Sequence, residues 1–132
     1  MVRIEATYDG DLRCTAIHGP SGMQLITDAP VDNKGKGESF SPTDLLATSM
    51  LTCVMTIVAI RADSKGIDVS GMNGSVEKSM AANPRRIAKL EVMVNLPSNL
   101  SMDDRAWLIT EGCNCPVSVS VSESMEVDVT FL

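Results

Sequence analysis

Aromatic residues are nearly missing from this chain: two Phe, one Tyr and one Trp in 132 residues. A surface that stacks nucleic-acid bases needs more ring faces than that. Basic charge is also in deficit. Eleven Lys and Arg against 17 Asp and Glu leave a net charge of −6, and no basic block stands out. Such a chain lacks both the phosphate-neutralising term of nucleic-acid binding and the attraction to anionic lipid. Residues Met1 to Gly10 are charged and alternating and hold no apolar h-region, so no signal peptide is expected. The longest apolar stretch, Leu45 to Ile60, is interrupted by Thr48, Ser49, Thr52 and Thr56. It is shorter than the ~20 residues of a membrane-spanning helix. Internal repeats, low-complexity tracts and long linkers are absent. The expectation is one soluble, cytoplasmic domain over residues 1–132, with no nucleic-acid or membrane partner.

The composition, 44% hydrophobic and 21% charged, suits a globular domain with one core. Short alternating runs at Val2 to Thr7, Leu12 to Ala16 and Met23 to Thr27 predict three strands. Asp9-Gly10 and Gly19-Pro20-Ser21-Gly22 supply the turns between them. Residues Ala29 to Ser39 carry Pro30, Asp32, Asn33, Gly35 and Gly37 and predict a loop.

Ser41-Pro42-Thr43-Asp44 is a helix start, with a capping Ser, a first-turn Pro and a carboxylate three residues after the cap. The helix should run to about Lys65 and stop at Gly66. Its middle is apolar on nearly every face, so burying it calls for a second subunit. Strands are expected over Ile67 to Lys78 and Ile87 to Leu96, with a turn at Asn83-Pro84. In the second strand Ala88, Leu90, Val92, Val94 and Leu96 form the buried face. Ser101 caps a second helix ending at Gly112, and a last strand spans Met125 to Phe131. The order β-β-β-α-β-β-α-β argues for an α+β fold, with a long central helix on an antiparallel sheet.

The four cysteines are Cys14, Cys53, Cys113 and Cys115. In a reducing compartment cysteine pairs are catalytic, redox-active or metal-binding more often than structural. Cys53 lies mid-helix on the line of Met50, Val54 and Ile57. It reads equally as a small core residue and as a thiolate nucleophile. The nucleophile reading needs a cation from elsewhere, because the middle of a helix offers no dipole. Cys115 precedes Pro116, either as a turn punctuator or as a cap near free backbone N–H groups. Cys113 and Cys115 form C-x-C, not the C-x-x-C of zinc knuckles, and His18 is the single histidine. No metal site is expected. His18 reads as a surface residue in a hairpin turn. Lys34-Gly35-Lys36-Gly37 lacks the spacing of a phosphate-binding loop. Arg85-Arg86 reads as an anion contact or a charged hairpin end.

One combination is specific. Phe40-Ser41-Pro42-Thr43-Asp44-Leu45-Leu46, then Cys53 on the same helix, then a distant Cys115-Pro116-Val117-Ser118, closely resembles the OsmC/Ohr family of osmotically inducible and organic-hydroperoxide-resistance proteins. Asp28-Ala29-Pro30, Gly35-Lys36-Gly37, Glu77-Lys78 and Pro84-Arg85-Arg86-Ile87 bring it nearest the OsmC-like branch. The resemblance implies an intertwined homodimer with two sites at the subunit interface. It also implies a peroxidase: the cysteine matching Cys53 attacks a peroxide, the one matching Cys115 resolves the sulfenic acid, and a dithiol reductant reopens the disulfide. No cofactor is implied.

Hydroperoxide-reducing members place an N-terminal arginine and a Glu directly after the Pro beside the reactive cysteine. Here Thr43 stands at the Glu position with Asp44 next to it, and Arg13 is the nearest arginine, with Arg85 or Arg86 as alternatives. Without such a cation, a thiol at the ordinary pKa of ~8.5 is only a few per cent thiolate at neutral pH. The alternative function is a non-catalytic small-molecule-binding or redox-sensing protein on the same scaffold. A third is a structural dimer with inert thiols.

Overall fold

A computed structural model describes residues 1–121 and 126–132. The chain divides into two compact units, Met1–Leu46 and Ala47–Leu132. The first is a three-stranded antiparallel sheet, β1 (Ile4–Gly10), β2 (Arg13–His18) and β3 (Gln24–Asp28), in that order. The first turn differs from expectation. Gly10 pairs with Arg13, and both residues between them, Asp11 and Leu12, have positive φ, at 53° and 62°. That conformation matches the right-handed twist of a two-residue hairpin. It moves the turn past Asp9-Gly10 and starts β2 one residue late. Residues 29–39 are mostly irregular, as expected, with a single 3₁₀ turn at Val31–Asn33.

Helix α1 (Pro42–Ser64) starts and stops where its sequence signals lie. The Ser41 hydroxyl accepts the Asp44 N–H at 3.1 Å, and the Asp44 carboxylate accepts the Ser41 N–H at 2.9 Å. This reciprocal capping satisfies donors that the first turn leaves open. At the other end Gly66 turns left-handed at φ 65°, with Ile67 N–H on the Ala62 carbonyl at 2.9 Å and Gly66 N–H on Asp63 at 3.0 Å. Both bonds of a glycine-terminated helix end are therefore present.

The second unit holds β4 (Asn73–Ala81), β5 (Arg86–Asn95), α2 (Met102–Cys113), α3 (Pro116–Val121) and β6 (Glu126–Phe131). Strand β4 begins later than Ile67, because Asp68 accepts the Ser70 N–H at 2.8 Å and Gly71 sits at φ 84°, which makes a turn. Strand β5 pairs antiparallel with β4 but parallel with β6, so this sheet is mixed and not antiparallel throughout. The helical crossover between β5 and β6 permits the parallel pairing. Helix α3 is an element beyond the expected order, and Met125, the expected start of the last strand, lies outside the described residues.

The core of this unit is Met50, Val54, Val58 and Ala62 from α1, Leu90, Val92 and Val94 from β5, Leu108 from α2, and Cys115. A bulge opposite Ser79 and Met80 shifts the β5 register. It buries Ile87 and leaves Ala88 half-buried, against the expected alternation. Helix α1 buries one stripe, Ala47, Met50, Val54, Val58 and Ala62, while Ile60 is exposed. At 23 residues α1 is long and apolar enough to cross a membrane by length and composition alone. Its buried stripe is that of a core helix, with Val54 and Val58 against Gly112 of α2.

Candidate functional site: a pair of neighbouring thiols

Sixty-one residues lie between Cys53 and Cys115 in sequence, and folding of the second unit brings their thiols near enough to interact. The pair is complete within one chain. Cys53 rides on α1 one position before the buried Val54 and is half-buried, whereas Cys115 is fully buried. Both are free thiols.

Cys115 caps α3. Its N–H reaches the Gly112 carbonyl at 3.3 Å, and its carbonyl accepts the Val119 N–H at 3.0 Å. Its sulfur accepts the Ser118 N–H at 3.4 Å. Burial pushes the Cys115 thiol up, the Ser118 N–H pulls it down, and the neighbouring Cys53 pushes it up again. The net direction is upward, which favours the protonated form of Cys115. The more accessible sulfur can meet a small electrophile, and the buried one is positioned to displace what Cys53 acquires. That division of labour suits disulfide chemistry.

The other expected site residues lie in the first unit. Arg13 on β2 bonds the Asp28 carboxylate at 3.3 Å and pairs with Glu38. Asp28 is fully buried, and its Oδ2 also accepts the Glu38 N–H at 2.9 Å. That backbone bond, helped by Arg13 and opposed by burial, holds the Asp28 carboxyl below the ordinary carboxylate range. Asp28 Oδ1 and Arg13 Nε have no hydrogen-bond partner among the described residues. Thr43 shares a hydroxyl contact with Ser41 at 3.1 Å, and Asp44 completes the cap, so both help to begin the helix that carries Cys53. Arg86 bonds the Pro84 carbonyl at 3.2 Å at the exposed β4–β5 turn.

Glu38 and the buried Asp28 were missed as arginine partners, although Asp28 closes a strand just before Ala29-Pro30. A charged residue at the end of an apolar strand is the one signal the sequence offers. His18 bonds Ser21 at 2.6 Å in the β2–β3 turn. Cys113 ends α2 and is exposed. Among the described residues no group of three or more His, Cys, Asp or Glu could hold a metal ion.

A family model described as OsmC-like protein matches residues 35–130. A crystal structure from Psychrobacter arcticus 273-4, provisionally named an osmotic stress induced and detoxification response protein, is 42% identical; the match covers 100% of this chain and 96% of that one, with a TM-score of 0.94. An organic hydroperoxide resistance protein, OsmC, from Legionella pneumophila shares the fold at 16% identity, with 99% and 96% coverage and a TM-score of 0.80. A second organic hydroperoxide resistance protein, from Elizabethkingia anophelis, matches at 16% identity, with 99% and 94% coverage and a TM-score of 0.80. Among curated proteins none matches. With a family model over most of its length and a 42% identical relative that it covers end to end, this chain belongs to the OsmC-like protein family.

Proposed function

We propose that this chain is a thiol-dependent peroxidase that reduces organic hydroperoxides or hydrogen peroxide through Cys53 and Cys115, in defence against oxidative stress. The observation that carries the reading is one half-buried and one fully buried free thiol, interacting across two elements of a single unit. The fold neighbours named for organic hydroperoxide resistance support it.

The cycle balances with no cofactor. The Cys53 thiolate attacks the terminal peroxide oxygen, the O–O bond breaks, and the alcohol leaves with a proton. Cys53 is then a sulfenic acid. The Cys115 sulfur displaces its hydroxyl, releasing water and forming the Cys53–Cys115 disulfide. A dithiol reductant returns both thiols and becomes a disulfide itself. In this proposal Arg13 is the cation that favours the thiolate, the working form is a homodimer, and the protein acts in the cytoplasm, where thiols stay reduced. Thr43 and Asp44 contribute by fixing the start of α1.

Arg13 is already paired with two carboxylates, and Thr43 replaces the glutamate of hydroperoxide-reducing members. These two features favour a second reading, a redox sensor that forms the same disulfide without turnover. One assay separates the readings: steady-state consumption of cumene or tert-butyl hydroperoxide with a dithiol. Peroxidase function predicts saturable turnover, lost in Cys53→Ser. Equal rates for wild type and Cys53→Ser refute it, and a single stoichiometric event per chain selects the sensor.

A further inference from the structure

The proposed cycle uses two of three cysteines that lie close together in the second unit. Cys113 is exposed at the last position of α2, and Cys115, two residues on, is fully buried with its thiol beside that of Cys53. Only Asn114 joins them. The bonds across this joint are long, with Asn114 N–H to Glu111 at 3.2 Å and Cys115 N–H to Gly112 at 3.3 Å. Pro116 contributes no N–H. Side chains two apart on a helix diverge, but α2 has ended here, and rotation at Asn114 strains only helix-end bonds, Asn114 Nδ2 to the Thr110 carbonyl at 2.9 Å among them. Cα atoms two apart in a helical turn are about 5.4 Å from each other. That falls inside the roughly 4.4–6.8 Å window of disulfides.

Resting on the peroxidase reading, we propose that Cys113 is a third redox thiol that carries the disulfide from the buried pair to the surface. The Cys113 thiolate attacks the Cys115 sulfur of the Cys53–Cys115 disulfide. The Cys113–Cys115 bond forms, the Cys53–Cys115 bond breaks, and Cys53 leaves as a thiolate that takes up the proton Cys113 gave away. No electrons are gained or lost in the exchange. A dithiol then attacks the exposed Cys113 sulfur, and its second thiol closes the reductant's own disulfide, returning Cys113 and Cys115 to thiols. The exchange frees the nucleophile at Cys53 before the reductant arrives. The exchange needs the Cys53–Cys115 disulfide and the Cys113 thiolate, so it follows the peroxide step and quickens about tenfold per pH unit below the thiol pKa.

The test gives the reduced full-length chain one equivalent of tert-butyl hydroperoxide without reductant, quenches in acid at intervals, alkylates, and maps the peptides by mass. The Cys53–Cys115 disulfide should appear first. A loss of two hydrogens within the peptide holding Cys113 and Cys115 should follow, with Cys53 alkylated again. Raising the pH by one unit should speed the second phase about tenfold, and Cys113→Ser should lack the second species. If the equilibrated wild type carries only the Cys53–Cys115 bond, with Cys113 fully alkylated, the relay is overturned while the peroxidase reading stands. If wild type forms no Cys53–Cys115 bond, or Cys53→Ser forms disulfide as fast as wild type, the peroxidase reading itself falls, and the relay with it.

Discussion

Gly112 links the packing of the second unit to its thiol pair. A Cβ built there would lie 2.7 Å from Phe131 Cζ, 2.8 Å from Val58 Cγ2 and 3.4 Å from Val54 Cγ1. The Phe131 contact is with the far end of a half-buried ring and can give. Val58 is fully buried on α1 and cannot move without its helix, so it sets the outcome of Gly112→Ala. Overpacking of this kind costs about 1–3 kcal/mol. Alanine returns up to ~1 kcal/mol of helix propensity, and less near a helix end. The net expectation is a destabilisation of about 1–2 kcal/mol. For a chain of this length that is a fall in Tm of roughly 3–10 °C, by differential scanning calorimetry.

The effect should reach the chemistry as well. The Gly112 carbonyl accepts the Cys115 N–H, and Val54 adjoins Cys53 in sequence. Moving α2 outward therefore draws Cys115 from its partner. Disulfide formation after one equivalent of hydroperoxide should slow several-fold, even at temperatures where the variant is fully folded. A Gly112→Ala variant as stable as wild type, with unchanged disulfide kinetics, would show that α1 and α2 are not in the close contact described.

Four further outcomes are expected. Ser41→Ala removes one half of the capping box and should cost about 1 kcal/mol in urea unfolding, more than Thr52→Ala on the exposed face of the same helix. Asp28 is held below its unfolded pKa, so its contribution to stability is present above the ordinary carboxylate range and is lost as the pH falls through the lower folded value. Asp28→Asn should flatten acid denaturation in that window. Cys115 is raised in the folded state, so its contribution is present below the unfolded thiol pKa and fades as the pH rises through the folded value. Alkaline unfolding followed by circular dichroism should accordingly be less steep in Cys115→Ala. Lys65 lies 3.6 Å from the centroid of the Trp107 ring, and Lys65→Met should cost ~0.5–1 kcal/mol while shifting the emission of the sole tryptophan.

Much of the fold is local and was legible for that reason. Ser41, Pro42 and Asp44 set the start of α1, and Gly66 sets its end, through bonds that span five residues or fewer. Such signals act over distances that a linear reading can see. The buried alternation of Leu90, Val92, Val94 and Leu96 was legible, but its break at Ala88 was not, because the bulge there is fixed by the partner strand β4. The parallel β5–β6 pairing depends on the whole crossover between them. Helix α3 follows a single Cys-Pro signal and is too short for hydrophobic periodicity to show.

Capping signals and apolar periodicity alone settled that this chain is an α+β protein with a capped central helix, because local backbone bonds carry that information. The family likeness came separately, as a resemblance in the motifs around Cys53 and Cys115. Which cysteine is buried, which is less so, and that the Cys53 and Cys115 thiols interact were decided only in three dimensions. The same holds for Arg13, whose charge is shared with Asp28 and Glu38 at separations of 15 and 25 residues. Desolvation and charge pairing depend on distances in space, and residues far apart along the chain acquire those distances only when it folds.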